Sequence, residues 1–462
     1  MFGSERLSRS RRERRVLALR ERRARRKRTR AVARGLAVGA VLASPGPAAA
    51  ATFTVTNTND SGPGSLRQAV TDANAAAGAD AVVFAVVPPA TISLLSALPA
   101  ITDPLTITGL GADNLTIRRE PGAANFRIFD IAPTAAPAVS ISGVTLTNGN
   151  AGPGAAGGAI KASGLTVAVT VADSVIVGNA APGPATGGGA ISVGASTLTV
   201  RRTVLAGNTA QIGGGVLAIE ASVVLEDSTL TGNTATGGSG GGLYAGGYTS
   251  GPVTVRGTTI FGNTGGGLAI IAYDFNAITI ENSTISENNG GGCSVLQFAR
   301  SAEQPTGGVP LTITHSTITQ NTGGKGGGIL VIGGLIDSVL RNTIVSGNTA
   351  AFGPDLAGGQ FTVNFSAIGS AEGWTPSGTS GNNLPFGTDL QLGPLQDNGG
   401  PTFTHEPGPN APPVNAGDPN FVPPPDFDQR GAGFPRVVGG VIDIGSVERN
   451  PVPVQAQDFT VE

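Results

Sequence analysis

Seven times along the chain the same order of polar and apolar positions closes on an asparagine: Asn179, Asn208, Asn233, Asn263, Asn288, Asn321 and Asn348. Eight residues before each stands an aliphatic side chain (Val171, Val200, Leu225, Val255, Ile280, Ile313, Leu340). Another stands three before (Ile176, Leu205, Leu230, Ile260, Ile285, Ile318, Val345). Five before is always Ser or Thr: Ser174, Thr203, Ser228, Thr258, Ser283, Ser316 and Thr343. Ten before is aliphatic in six of the seven repeats, with Ser338 the exception. Side chains alternate along a strand, so positions ten and eight back share a face. Positions five and three back share a face out of phase with the first, which demands a corner between them. A Gly-rich run follows most of the asparagines and leads into another short apolar stretch, as in Gly213-Gly214-Gly215-Val216-Leu217. β-branched residues dominate and no helical period appears, so the pattern predicts three short strands per coil. The asparagines recur every 25 to 33 residues, about 28 per coil. A near-constant period of that size predicts an all-β solenoid of stacked parallel strands, about ten coils over residues 101–370.

The polar columns have a structural reading. Asn tolerates a left-handed corner, and its amide both donates and accepts, so a column of asparagines can bond from coil to coil. The Ser/Thr column can satisfy itself in the same manner. The Gly runs allow tight corners. They lack the Gly-Lys-Ser/Thr order of a phosphate loop; Lys325 sits between Gly324 and Gly326.

Open ends of a solenoid expose core and strand edges. Ser65 is placed to cap a short helix with Gln68 as its capping-box partner, and Leu66, Ala69, Val70 and Ala73 share one helical face. Residues 51–100 are therefore expected to form an N-terminal cap, with the helix over 65–76. After residue 370 the repeat stops and Pro, Gly and Asn take over, so 371–462 is expected to be an irregular C-terminal cap.

Charge separates the first residues from the rest. The first 34 residues hold 15 of the 29 Lys and Arg and three of the 31 acids, leaving a remainder of 14 basic and 28 acidic residues, about −14. Such a remainder speaks against nucleic acid as partner. The basic start, a short apolar stretch at 35–43 and small residues to position 51 together read as an export signal over 1–50. The apolar stretch is too short to span a membrane, so the expectation is an exported monomer without a membrane span. The single cysteine, Cys293, takes a position held elsewhere by aliphatics; it reads as a small buried hydrophobe, with a reactive thiol as the alternative.

Two groups of residues could carry chemistry. The seventh and sixth positions before the asparagines read Ala172-Asp173, Arg201-Arg202, Glu226-Asp227, Arg256-Gly257 and Glu281-Asn282, alternating in sign. This is either a ladder of exposed ion pairs that sets coil register, or a groove of Arg202, Glu226, Asp227 and Arg256 that binds or cleaves an acidic glycan. Toward the C-terminus, Asp418, Asp428, Asp443 and Glu448 could bind Ca²⁺, although Arg430 among them favours salt bridges. Tyr244 and Tyr248 flank a Gly-rich loop and are candidate sugar contacts.

Three segments resemble known families. Residues 55–69, which include Gly64-Ser65-Leu66-Arg67-Gln68-Ala69, resemble the CSLREA segment of exported bacterial β-helix proteins, with Gly64 and Gln68 departing from its Cys and Glu. The Gly157-Gly158-Ala159-Ile160 and Gly-Asn repeats resemble the right-handed parallel β-helix of the pectin-lyase superfamily and of chlamydial polymorphic outer-membrane proteins. Asp397-Asn398-Gly399-Gly400-Pro401, Asn415-Ala416-Gly417-Asp418 and Asp443-Ile444-Gly445 resemble the choice-of-anchor Q domain. These resemblances imply a right-handed β-helix at the bacterial surface with a structural, adhesive or glycan-binding role, facing polysaccharide or another envelope component. Residues 452–462 carry no sorting motif or apolar tail, so release is expected over covalent anchoring. The superfamily also contains lyases, which use acidic residues for Ca²⁺ with an Arg or Lys base, and hydrolases, which use clustered Asp with Gly-His-Gly. The two histidines, His315 and His405, lie in no such motif, and no Asp-Asp pair occurs. A polysaccharide lyase or hydrolase is thus the alternative expectation, behind a non-catalytic one.

Overall fold

A computed structural model describes residues 50–132, 138–164, 167–184, 187–247, 251–272, 277–298, 309–333 and 336–449. The export signal expected over 1–50 lies outside the described residues but for its last residue, as does Tyr248. Three long parallel sheets of 13, 11 and 9 strands run the length of residues 52–376. The third sheet runs from Phe129 to Ala357, and within that stretch each coil gives one strand to each sheet; one coil supplies Thr197–Arg201, Val204–Ala206 and Val216–Ile219. The eleven strands of the second sheet correspond to about eleven coils.

The apolar positions stack in register. In the first sheet Val169, Leu198, Val223, Val253, Ile278 and Leu311 pair in succession, and all are buried. Ser338 continues that column, and its buried hydroxyl has no hydrogen-bond partner. The inner column of the second sheet, Ile176 to Val345, is fully buried. Cys293 lies in the core under the third sheet, and burial pushes its thiol up to about 12. It is a packed side chain, not a nucleophile.

The corner is built differently from the expectation. The left-handed residues are not the asparagines but the positions six and one before them: Asp173, Arg202, Asp227, Gly257, Asn282, His315 and Asn342 have φ between 44° and 59°, and Gly178, Gly207, Gly232, Gly262, Glu287, Gln320 and Gly347 have φ between 58° and 75°. The asparagines sit beyond the next short strand, where they bond to one another. Asn179 Nδ2 donates to Asn208 Oδ1 at 3.0 Å, Asn208 to Asn233 at 2.9 Å, and the series continues to Asn348. Each Oδ1 also accepts the backbone N–H of the preceding asparagine, for example Asn233 N to Asn263 Oδ1 at 2.9 Å. The row ends on Asp355, whose Oδ1 accepts from Asn348 Nδ2 at 2.9 Å. The Ser/Thr hydroxyls bond backbone rather than one another. Thr203 Oγ1 accepts Ser174 N at 3.4 Å and donates to its own coil at Arg201 O, 2.8 Å.

Both ends are covered. The helix Leu66–Ala75 buries Leu66, Ala69, Val70 and Ala73 against the core, and Ser65 caps it by accepting Gln68 N at 3.2 Å. The reciprocal half of the expected capping box is replaced: Gln68 Nε2 donates to Asp72 Oδ1 at 2.7 Å. At the other end the region expected as a cap divides in two. Trp374 packs on the core, edge-on to Phe361 at 6.0 Å, and Thr375–Pro376 adds a last strand to the first sheet. From Leu390 the chain turns back along the flank of the second sheet and reaches the coil of Thr259. It is held chiefly by polar side chains. Thr259 Oγ1 donates to Phe403 O at 2.6 Å, Thr284 Oγ1 to Gln429 Oε1 at 2.6 Å, and Ser446 N donates to Thr317 Oγ1 at 3.0 Å. A small second core of Ile344, Ala367, Leu390 and Ile444 closes the join.

Candidate functional site

The charged corner closes the strands of the first sheet. Arg201, Glu226, Arg256 and Glu281 stand in register on successive coils, each at the end of its strand. The left-handed residues follow them, which turns Asp173, Arg202 and Asp227 outward beside that column. Arg202 grips Asp173 through two bonds, Nε to Oδ1 at 2.6 Å and Nη2 to Oδ2 at 2.8 Å. Arg201 pairs with Glu226 and Arg256 with Glu281, each at 2.8 Å. The Arg202 bond holds the Asp173 carboxyl below its ordinary value, and Asp173 raises the Arg202 guanidinium in turn. These pairs are exposed, so each contributes no more than about 1 kcal/mol.

Asp227 is the exception. It has no Lys or Arg partner within 4.0 Å among the described residues. Burial raises its pKa first, and neighbouring Glu226 adds to the rise; Arg202, Arg201 and Arg256 oppose it. The carboxylate packs on Gly257, where an added Cβ would lie 2.3 Å from Asp227 Oδ1. The four candidates Arg202, Glu226, Asp227 and Arg256 therefore share one surface, but two arginines and Glu226 are engaged with other partners. Acid–base cleavage of a glycosidic bond needs two carboxyl groups in different protonation states. Only Asp227 is uncommitted here.

Tyr244 stands elsewhere, half-buried on the outer face of the third sheet between Leu217 and Ala269. The structure does not bring it to the charged corner.

The acids considered for Ca²⁺ belong to the segment folded back on the flank. Asp428 binds Arg430 at 2.7 Å and accepts Glu448 N at 2.7 Å. Asp443 accepts Asn415 N and Arg449 N, both at 2.6 Å. Asp418 accepts Asn420 N at 2.9 Å and lies 3.9 Å from Arg341. Among the described residues no group of three His, Cys, Asp or Glu side chains is arranged to hold a metal ion. The carboxylate oxygens here serve backbone amides and arginine.

The same segment holds Arg436, which sequence reasoning did not single out, and Glu448, which it placed among the Ca²⁺ candidates. Arg436 is fully buried and donates through Nη2 to Asp443 O and Gly445 O, each at 2.8 Å. Glu448 is buried beside Asp443, and its pKa is pushed up to about 8, first by burial and then by that neighbour. Neither position belongs to a repeat, so no periodicity marks it. The histidines are structural. His315 packs edge-on to Phe421 at 4.9 Å and burial pushes it down to about 2; His405 bonds Ser286 at 2.8 Å and Gly393 O at 2.7 Å.

Residues 138–350 match the family model described as a right handed beta helix region. The fold is a right-handed parallel β-helix. Among solved structures the chain is similar to one titled rhamnogalacturonan lyase, with 11% identity over 75% of this chain and 91% of that one, at a TM-score of 0.29. No curated protein matches the chain. No helix among the described residues is long and apolar enough to cross a membrane.

Proposed function

We propose that this chain is an exported β-helix of the bacterial surface that binds an extended polysaccharide along its first sheet without cleaving it. One observation carries the reading. The outward residues of that sheet form a row in register along the rod: Thr170, Thr199, Val224, Thr254, Thr279 and Thr312. The row repeats at about the 4.8 Å strand spacing. Beside it runs the column of paired arginines and carboxylates. A hydroxyl row with compensated charges offers hydrogen bonds to a polyhydroxylated chain lying along the rod and carries little net charge of its own. Pairing of Glu226 and Glu281 with arginine removes the second carboxyl that hydrolysis requires.

Affinity electrophoresis in gels containing neutral or uronate polysaccharides, with a parallel assay for new reducing ends and unsaturated products, tests it. The expected result is retardation by at least one polymer, no product, and retention weaker by about tenfold or more when Thr170, Thr199 and Thr254 are changed to Ala, since each hydrogen bond contributes about 0.5–1.5 kcal/mol. A second reading rests on Asp227, an unpaired carboxyl with a raised pKa beside three arginines. Product formation that Asp227→Asn abolishes with the fold intact would replace the binder by a polysaccharide lyase or hydrolase.

A further inference from the structure

Unmet polar atoms gather where residues 390–449 lie on the solenoid. Among the described residues ten buried side-chain polar atoms have no hydrogen-bond partner, and five of them meet at this join: Asn282 Oδ1, His315 Nδ1, Asn342 Nδ2, and Arg436 Nε and Nη1. Asn282, His315 and Asn342 hold the same left-handed corner position on three successive coils. Arg436 reaches them through Gly445, whose O accepts from Arg436 Nη2 at 2.8 Å and whose N–H donates to Asn342 O at 2.9 Å. A buried polar atom without a partner forgoes the hydrogen bond that water would give it. Closure of the segment is therefore opposed at five points, all of which hydrate when it lifts.

The contacts that hold the segment down are tied to its buried acids. Gln429, between Asp428 and Arg430, takes the Thr284 hydroxyl on Oε1 and donates from Nε2 to Thr259 Oγ1 at 2.8 Å. Ser446, between Asp443 and Glu448 in the chain, donates to Thr317. The two stretches are joined: Gln429 N donates to Ser446 O at 3.0 Å and Glu448 N to Asp428 Oδ2 at 2.7 Å. Glu448 Oε2 in turn accepts Asp443 N at 2.8 Å. A disturbance at the acids is thus a disturbance at the grip. Within the segment Arg430, Arg436 and Arg449 face Glu406, Asp428, Asp443 and Glu448. From the solenoid come His315, Arg341, which lies 3.9 Å from Asp418, and Glu287 near His405. With every group charged, the segment's acids outnumber its arginines here.

The chain also has a place to turn. Gly387 donates to Gly369 O at 2.8 Å on the last coil, with φ 74° and open space around its α-carbon, and Leu390 already belongs to the second core.

We propose that residues 390–449 form a strap, hinged between Gly387 and Leu390, that lifts reversibly from the solenoid as pH rises past neutrality and uncovers Thr259, Thr284 and Thr317 while the coils stay folded. Uncovered, these three continue the outward position of Thr229 as a second hydroxyl row. Burial, then Asp443, pushes Glu448 up to about 8, and burial raises Asp443 as well. The contribution of Glu448 to closure is complete below its ordinary 4.5 and is lost as pH rises through about 8, so the lifted form gains with pH. Burial lowers His315 and His405 from an ordinary 6.5; above that pH both are neutral, covered or not, and leave the rise to the acids. The strap does not depend on the polysaccharide reading of the first sheet.

Thiol labelling of the full chain tests it, with Cys293 in the solenoid core as the internal control. Ser286→Cys places a second thiol under the strap, where Ser286 is 0% exposed and meets His405. Thr231→Cys places one at the same repeat position two coils earlier, outside the strap. The ratio of the two labelling rates cancels the titration of the thiol itself. From pH 6.5 to 8.5 that ratio should rise about tenfold, since one released proton changes the opening equilibrium by up to about tenfold per pH unit. Glu448→Gln should remove most of the rise, and Cys293 should stay unlabelled throughout. If Ser286→Cys labels as fast as Thr231→Cys already at pH 6.5, hydrogen exchange of the unaltered chain over residues 390–449, corrected for its intrinsic pH dependence, decides instead by the same rise. A ratio constant with pH, a rise undiminished in Glu448→Gln, or labelling of Cys293 in step with Ser286→Cys would overturn the strap.

Discussion

The second sheet presents the same repeat position to two different surroundings. Val175, Val204, Thr229, Thr259, Thr284 and Thr317 pair in succession, one per coil, all pointing outward. Val204 is 36% exposed, whereas Thr259 and Thr284 are 0% and Thr317 1%. Strand geometry is identical; what differs is the C-terminal segment laid over the later coils. The hydroxyl that faces solvent at Thr229 becomes, at Thr284, a donor to Gln429. The repeat thus sets where a side chain points, and a non-repeating segment far away in sequence sets whether that direction is wet or dry.

The largest expected effect comes from detaching that segment. Asp428 and Arg430 are 3% and 5% exposed, and the guanidinium also lies 4.1 Å over the Phe434 ring. Breaking a buried pair by removing one charge costs about 3–5 kcal/mol, because the other stays buried without compensation. Asp428→Asn should therefore free residues 390–449 for limited proteolysis while far-UV circular dichroism of the solenoid persists. A protease pattern identical to the parent's would mean that the segment is held by the Thr259, Thr284 and Thr317 contacts alone.

Titration distinguishes the two regions next. Glu448 moves from 4.5 to about 8 on folding. A raised acid favours the folded state at low pH: its contribution is complete below about pH 4.5 and disappears as pH rises through about 8. Thermal stability should fall between about pH 5 and 8.5, and Glu448→Gln should flatten that slope. The asparagine row has nothing to titrate until Asp355 at its end, whose pKa burial also raises. An unaltered slope in the variant would point to Asp355 or Asp443 instead.

The two surroundings can then be compared with one substitution at two places. Thr284→Val leaves Gln429 Oε1 without its 2.6 Å donor, at a cost of about 1–3 kcal/mol. Thr229→Val, one repeat position in the open coils, should stay within about 0.5 kcal/mol. Equal changes in melting temperature would show that the segment leaves the later face hydrated in solution.

How much of this was legible in the residues follows the same division. Strand order, the aliphatic columns, the amide row and the helix of Leu66 to Ala75 all repeat or cap a repeat, so their spacing announces them. The corner between positions eight and five back was placed correctly, but the left-handed backbone expected of the asparagines falls on other positions, on Arg202, Asp227 and His315 six before and on Glu287 and Gln320 one before. Propensity yielded to coil geometry. The fold-back of residues 390–449 left no such trace. Thr259, Thr284 and Thr317 look like a solvent face, and nothing in their spacing says that Gln429 and Ser446 will cover them.

The smallest expected effect lies at the charged corner, where the choice between register ladder and site is made. Arg256 pairs with Glu281 at 2.8 Å with about half of its side chain exposed. An exposed pair contributes roughly 0.2–1 kcal/mol, and salt screens it. Arg256→Gln should lower stability by no more than about 1 kcal/mol at low salt, and the difference should vanish near 1 M salt, where the screening length is about 3 Å. Because Arg256 also helps hold down the pKa of Asp227, the variant should raise that carboxyl further without freeing a second one. A ladder therefore loses a little stability and no chemistry. If Arg256→Gln left stability unchanged at every salt concentration but abolished polysaccharide retention, the arginine would be a ligand contact first and a register device second.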